Sequence, residues 1–323
     1  MPLAIMPEKL AAIVAFLGDQ SAGIKYPASE IEARIGAASH PDRAPQTQGR
    51  STAVIPIRGV IAQRANMLDD VSGGGGTSTE IVGRQLREVA AMPGVDRLIL
   101  DIDSPGGSVY GVAELAAEIA RMARGPIKIT AQVNSLAASA AYWIASQASE
   151  IVITPGGEAG SIGVYTVHED ISARAEAMGV KRTYISAGKY KTEGNPFAPL
   201  DDEARGAIQA RVDEYYSMFV SAVAAGRSKA TDRTITPAQV RGGFGQGRVA
   251  GAVDAVRLGL ADRIGTLDQT LAAHGASGSG ARRRAQVEQF ESEIAALDLR
   301  IQSNPRSAAA AERERLIQQL ERG

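Results

Sequence analysis

From Arg97 onward, short apolar runs rich in β-branched residues alternate with stretches whose apolar positions recur at helical spacing. Residues 97–102, 127–133, 151–154, 162–166 and 182–185 predict strands. Residues 109–124, 137–147 and 171–178 predict the helices between them. Strands alternating with helices imply βαβ units and a mostly parallel sheet, in which ligands gather at the carboxyl ends of strands. Upstream, 52–57 and 59–62 predict two paired strands. Four glycines at 73–76 then predict a loop, and Thr77, Ser78 and Thr79 offer N-caps for a helix to about Met92. Downstream, residues 201–225 predict a long amphipathic helix with Ile208, Val212, Tyr215, Phe219 and Val223 on one face. A helix over 250–258 is closed by Gly259.

The periodic core has different flanks. Residues 1–50 begin helical and turn polar and proline-rich from about His40, the pattern of a leader and linker. Residues 51–274 form the predicted domain, and 275–284, rich in Gly, Ala and Ser, a second linker. Beyond it Val287, Phe290, Ile294, Leu297 and Ile301 recur at alternating steps of three and four. That seam, broken at Asn304-Pro305, predicts a helical hairpin or coiled-coil-like tail over 285–323. A simple oligomerisation or docking helix pair is the plainest role for such a tail.

Composition narrows the class. A hydrophobic fraction of 44% and a charged fraction of 22% are those of a soluble globular protein. A formal net charge of −1 gives no support for nucleic-acid or acidic-lipid binding. The absence of cysteine excludes disulfides, thiolate metal sites and a cysteine nucleophile. No apolar run approaches the roughly 20 residues of a spanning helix. The short run at 10–17, preceded by Glu8 and Lys9, predicts an amphipathic helix rather than a targeting signal. A cytoplasmic protein without stable membrane insertion is expected.

Three stretches carry candidate chemistry. In residues 134–146, Ser139 sits among Ala137, Ala138, Ala140 and Ala141 between a predicted strand and a predicted helix. Small neighbours admit another backbone close to the hydroxyl, and a strand-to-helix turn supplies backbone N–H groups for an oxyanion. A small-residue helix packed into the core would read the same way. Residues 103–108, Asp-Ser-Pro-Gly-Gly-Ser, place paired glycines after a strand. They can turn N–H groups into a cleft, or simply make a tight turn. A hydroxyl nucleophile needs a base, and of three histidines only His168 lies in the core region, beside Glu169 and Asp170. Lys189 and Lys191 follow another strand. A lysine has an ordinary pKa of about 10.4 and must lose roughly three units, about 4 kcal/mol, to act as a base near neutrality. Desolvation can supply that provided no carboxylate pairs with the amine. Composition selects neither lysine.

Taken together, Asp-Ser-Pro-Gly-Gly at 103–107, Ala-Ala-Ser-Ala-Ala-Tyr at 137–142, Gly-Ser-Ile-Gly-Val at 160–164 and Gly-Lys-Tyr-Lys at 188–191 resemble the signal peptide peptidase A family. These are Ser-Lys serine peptidases of the ClpP/crotonase-like fold, an α/β superhelix of βαβ units. The resemblance runs from about residue 52 to 270 and implies Ser139 as nucleophile and Lys191, third after Gly188, as general base. It also implies Ser161 as the hydroxyl orienting that lysine, and Gly107 and Ala140 as oxyanion donors, with Gly106 and Ser108 contacting substrate. The implied reaction is an acyl-enzyme hydrolysis of polypeptide substrates without metal, cofactor or nucleotide, in a homo-oligomer, possible as a ring. Within the family, Lys-Thr-Glu-Gly-Asn-Pro-Phe at 191–197 looks most like tailed-phage head maturation proteases, which cleave scaffold or capsid proteins in the host cytoplasm or procapsid. A bacterial peptidase of hydrophobic peptides, a serine–histidine triad using His168, and a non-catalytic assembly protein are the rivals.

Overall fold

The structure, a computed structural model, describes residues 2–11, 14–15, 46–48, 52–64 and 76–274. Its elements in chain order are β1 (Leu3–Ile5), β2 (Gln46–Gln48), β3 (Thr52–Ala62), β4 (Gly76–Ser78), α1 (Thr79–Ala91), β5 (Arg97–Ser108) and α2 (Val112–Met122). There follow β6 (Lys128–Ala138), α3 (Ala140–Ala145), β7 (Glu150–Ile153), β8 (Glu158–Gly160), α4 (Ser172–Ala177) and α5 (Asp202–Thr231). The series ends with α6 (Pro237–Gly243), β9 (Val249–Gly251), α7 (Ala252–Leu258), β10 (Arg263–Ile264) and α8 (Leu267–Ala273).

The main sheet path runs β10-β7-β6-β5-β3-β2. Every pairing on it is parallel except β2 with β3. Its middle strands are covered on both faces, which explains their near-continuous apolar runs. Ile55, Ile57, Leu98, Leu100, Ile102, Ile129, Ala131 and Val133 are all fully buried. Helix α1 starts where the Ser78 hydroxyl accepts the Ile81 N–H, and it buries Val82, Leu86 and Val89. Opposite, Leu271 of α8 packs with Ile99. This is a mostly parallel α/β architecture, as the resemblance to the ClpP/crotonase-like fold implied.

The short helix α3 is fixed from several sides. Trp143 stacks on Phe219 of α5 at 4.8 Å, and the Tyr142 hydroxyl donates to the Leu260 carbonyl. About two turns further along α5, fully buried Arg227 donates to both carboxylate oxygens of Asp262 and to the Gly259 carbonyl. Asp262 in turn accepts the Ile151 N–H. A buried charge is tolerable only with such saturation of its donors.

Several elements differ from their sequence pattern. Residues 52–62 form one strand rather than a pair, with the left-handed Gly59 (φ 64°) absorbing a register shift between Arg58 and Val60. Strand β5 runs on through Ser108 because partners flank it there, so 103–108 is strand and not a turn. Strand β6 likewise claims Ala137 and Ala138, leaving α3 only Ala140–Ala145. Residues 162–166 and 182–185 are not strands, because outside a single bridge at Tyr165 they lack an edge to pair with. The first half of α5 stands largely clear of the core, and burial of its apolar face is complete only from Phe219. The linker 275–284 and the tail 285–323 lie outside the described residues. Among the described residues no helix is long and apolar enough to cross a membrane.

Candidate active site

The site is built where β5 and β6 part company. The two strands pair in step from Arg97↔Lys128 to Ile102↔Val133, then resume once at Ser104↔Ala137. The longer gap on β6 is a bulge, with Ser135 at φ 116°. Asp103 sits opposite this bulge and accepts the Leu136 N–H, while burial raises its carboxyl pKa above the ordinary value. Beyond the bulge β6 exchanges its neighbour β7 for β8. Next to it, fully buried Ser104 donates to the Gly59 carbonyl at 2.6 Å and accepts the Gly106 N–H at 3.2 Å. The sequence motif contained Asp103 and Ser104, but its glycines drew the functional reading. The roles of these two polar residues as organisers of the fork emerge only from the pairing.

At the end of β6 lies Ser139, 1% exposed, with φ 58° and ψ −120°. For a residue with a β-carbon this is a strained conformation, of the kind met at sharp strand-to-helix turns that present a nucleophile. Its N–H donates to the Gly160 carbonyl at 2.8 Å, and its carbonyl accepts the Trp143 N–H at 2.9 Å. Both backbone ends are therefore clamped. The hydroxyl is not spent on capping α3, which leaves it available for chemistry. Pairing of Ala138 with Gly160 sets the following residues, Ser139 and Ser161, side by side. Ser161 is also buried, at φ 54°, its N–H held by the Arg248 carbonyl at 2.8 Å.

The glycines of β5 close the other wall. A β-carbon on Gly106 (φ 96°) would stand 2.9 Å from Ser139 Cβ, and one on Gly107 would meet the Ile61 carbonyl oxygen at 1.9 Å. Only glycine lets β3 and the serine turn approach so closely. Ser108 accepts the Tyr110 N–H. Thus Ser139, Ala140, Ser161, Gly106, Gly107 and Ser108 all border one fork in the sheet.

Among the described residues, neither lysine hydrogen-bonds to that cluster. Residues 181–191 are exposed throughout, Lys191 included, and no hydrogen bond links its amine to Ser139 or Ser161. Lys189 donates to a Glu203 carboxylate oxygen at 2.8 Å and to the Tyr190 hydroxyl at 3.0 Å. The Glu203 contact, then Tyr190, raise the Lys189 pKa and hold it charged. The loop around Lys191 is internally tied. Asn195 donates to the Thr192 carbonyl and accepts the Phe197 N–H, and the Ile171 N–H reaches the Pro196 carbonyl. The His168 ring bonds the Asn195 carbonyl at 3.1 Å, not Ser139. Around the loop Val167, Met178, Ile185 and Tyr190 expose 55–97% of their surface.

Residues 122–277 match the model of Peptidase family S49. Capsid assembly protease C of Escherichia phage lambda is 33% identical over 216 residues, 66% of this chain and 48% of that protein. Head-tail preconnector protein GP5 of Enterobacteria phage P21 is 34% identical over 172 residues, 53% of this chain and 34% of that protein. Serine protease SPPA, chloroplastic, of Arabidopsis thaliana is 30% identical over 189 residues, 58% and 27% of the two chains. The chain spans about half the length of the first of these relatives, and less of the others. The likeness to the signal peptide peptidase A family, phage branch included, is borne out.

Proposed function

We propose that this chain, which carries the family S49 match, is a serine endopeptidase working through an acyl-enzyme. Ser139 is the nucleophile and Lys191 the general base. The observation that carries the reading is the backbone of Ser139, buried, strained and clamped between glycine-lined strands, with its hydroxyl unclaimed. Strain at a folded site persists only where the surroundings over-determine it, and it costs about 1–3 kcal/mol. Between the two lysines, the carboxylate on Lys189 favours Lys191, because a base must give up its proton. In the reaction Lys191, neutral, accepts the Ser139 proton as Oγ attacks the peptide carbonyl. The developing oxyanion takes N–H donors from Gly107 and Ala140, and the lysine returns the proton to the leaving amine. Water then repeats the steps on the acyl-enzyme. Ser161, beside Ser139, orients the amine once it arrives.

To act as the base, exposed Lys191 has to be desolvated and held within hydrogen-bond reach of Ser139, by its own loop or by a second copy of the chain. The exposed aliphatic and aromatic residues flanking its loop suit burial against another copy, in line with the homo-oligomer implied by the family. The relatives named as capsid assembly and preconnector proteins favour phage head or scaffold polypeptides as substrates. The test is hydrolysis of a denatured protein substrate by single variants. Ser139→Ala and Lys191→Ala each lose at least about a thousandfold, while Lys189→Ala and His168→Ala retain activity. An essential Lys189 would transfer the base role to it. An active Ser139→Ala would end the peptidase reading.

A further inference from the structure

The fork at the active site already contains a strand. Residues Leu3–Ile5 pair antiparallel with the tail of β5, Leu3 opposite Ser108, Ala4 opposite Gly107 and Ile5 opposite Gly106. On the other edge Leu3 exchanges two hydrogen bonds with Tyr165, N–H to carbonyl at 2.8 Å and the reverse at 3.0 Å. The Met6 N–H adds a third anchor on the Pro105 carbonyl at 3.1 Å. Ala4 is fully buried and Ile5 nearly so. The Ala4 carbonyl oxygen and Ser139 Cβ both lie within 3 Å of one point, the place a Gly106 β-carbon would take, at 2.2 and 2.9 Å.

The slot that this strand fills is a consequence of the topology. Once β6 turns away to β8, the edge of β5 at 106–108 has lost its neighbour on that side. Tyr165 faces it from across the intervening strand. Adjacent strands lie about 4.8 Å apart, so two edges separated by a third strand cannot satisfy one another. Backbone donors and acceptors left open at such an edge attract an extended peptide by strand addition. A substrate that presents a carbonyl to Ser139 has to lie in this slot.

We infer that Leu3–Ile5 is a built-in occupant of the peptide slot, a substrate-like strand that competes with incoming polypeptide for the same backbone partners. The inference rests on the peptidase reading for what the slot is used for, not for its geometry. It specifies the ligand class as an extended backbone with a small residue beside Ser139 and aliphatic residues on either side. Charge agrees with a seated segment, since Lys9 lies near enough to Asp103 to act against the upward shift of its carboxyl. The Ala4 side chain is fully buried, so a charged residue at this position could not stay solvated with the strand seated.

The test separates binding from catalysis by using the full chain carrying Ser139→Ala. A fluorescent peptide with the sequence of residues 1–8 is titrated against it, and against the same chain carrying Ala4→Arg in addition. Expelling the internal strand raises the competent fraction of slots and tightens the probe by at least about tenfold. A probe with arginine in place of its alanine binds neither chain. An unchanged affinity on adding Ala4→Arg, or a probe that never binds, overturns the inference. Hydrogen exchange on the unsubstituted chain provides a check independent of any variant: the Leu3 and Tyr165 amides are expected to be protected, and free exchange at both would also overturn it. Failure of the peptidase reading appears elsewhere, as persistent hydrolysis by Ser139→Ala.

Discussion

Replacing Gly107 by alanine tests whether the fork depends on the close approach of three backbones. The new methyl would stand 1.9 Å from the Ile61 carbonyl oxygen and 2.6 Å from its carbonyl carbon and nitrogen. Comfortable contact needs about 3.5 Å, so β3 and β5 must separate by more than about 1 Å at this point. The obstacle is backbone within a parallel ladder that pairs from Thr52↔Arg97 to Ile61↔Gly107, and no rotamer change relieves it. Overpacking of this kind costs about 1–3 kcal/mol, and the absence of any flexible neighbour puts Gly107→Ala near the upper end. With an m-value of about 2–3 kcal/mol/M in urea, the unfolding midpoint falls by about 1 M. A displacement of about 1 Å beside the nucleophile also lowers kcat/KM by about a hundredfold. Gly156→Ala is the control, since nothing lies within 4 Å of its β-carbon position. Urea unfolding followed by circular dichroism and hydrolysis of a fluorogenic protein substrate read the two effects. A Gly107→Ala chain with the parent's midpoint and activity within twofold would show that the fork does not depend on this glycine.

Two further outcomes follow from the same geometry. Ser161→Ala weakens hydrolysis by about ten- to a hundredfold, less than loss of Ser139 or Lys191, because it orients and does not react; an equal loss would make it a reacting group. Stability has an acid-sensitive component at His274, where burial, then Arg97, lowers the imidazole pKa below its ordinary value of about 6.5. The folded state therefore binds fewer protons than the unfolded one. This contribution is complete above about pH 6.5 and is lost as the pH falls through the lowered value. His274→Gln should flatten the decline in melting temperature between about pH 7 and pH 5, and an unchanged slope would refute the assignment.

What the sequence disclosed divides along physical lines. The parallel sheet was legible because β5, β6 and β7 bury apolar runs on both faces, and the order of runs alone dictates βαβ units. The seat of Ser139 was legible as a run of small residues after a strand. Its strain was not, because φ at Ser139 depends on the hydrogen bond of its N–H to the Gly160 carbonyl, which is tertiary. The ends of β5 and β6 were misread for a related reason. Asp-Ser-Pro-Gly-Gly has the composition of a turn, yet β1 and β3 flank it and hold it extended. Nothing in Leu3-Ala-Ile announces a partner more than a hundred residues away. The strand predicted at 182–185 failed in the opposite sense, since its apolar residues have no core to face and Ile185 is 97% exposed.

That exposure bears on how the two halves of the proposed dyad are controlled. Ser139 is prepared by the fold itself: its environment is dry, its backbone is clamped, and its glycine walls need no further ordering. A lysine that serves as a base near neutrality requires desolvation, and Lys191 lies exposed on a loop edged with apolar surface. Burying that surface would both dock the loop and strip water from its amine, so association and activation draw on the same contacts. On the proposed dyad the chemistry would be conditional on assembly, whereas the nucleophile would not. With β1 in the slot as well, an isolated chain has, on the proposed reading, two reasons to be inactive: a solvated base and a groove already filled. Such a protein would combine a fully formed serine site with negligible hydrolysis until copies associate and a competing strand displaces Leu3–Ile5. The two controls are separable, because dilution acts on the first and Ala4→Arg on the second.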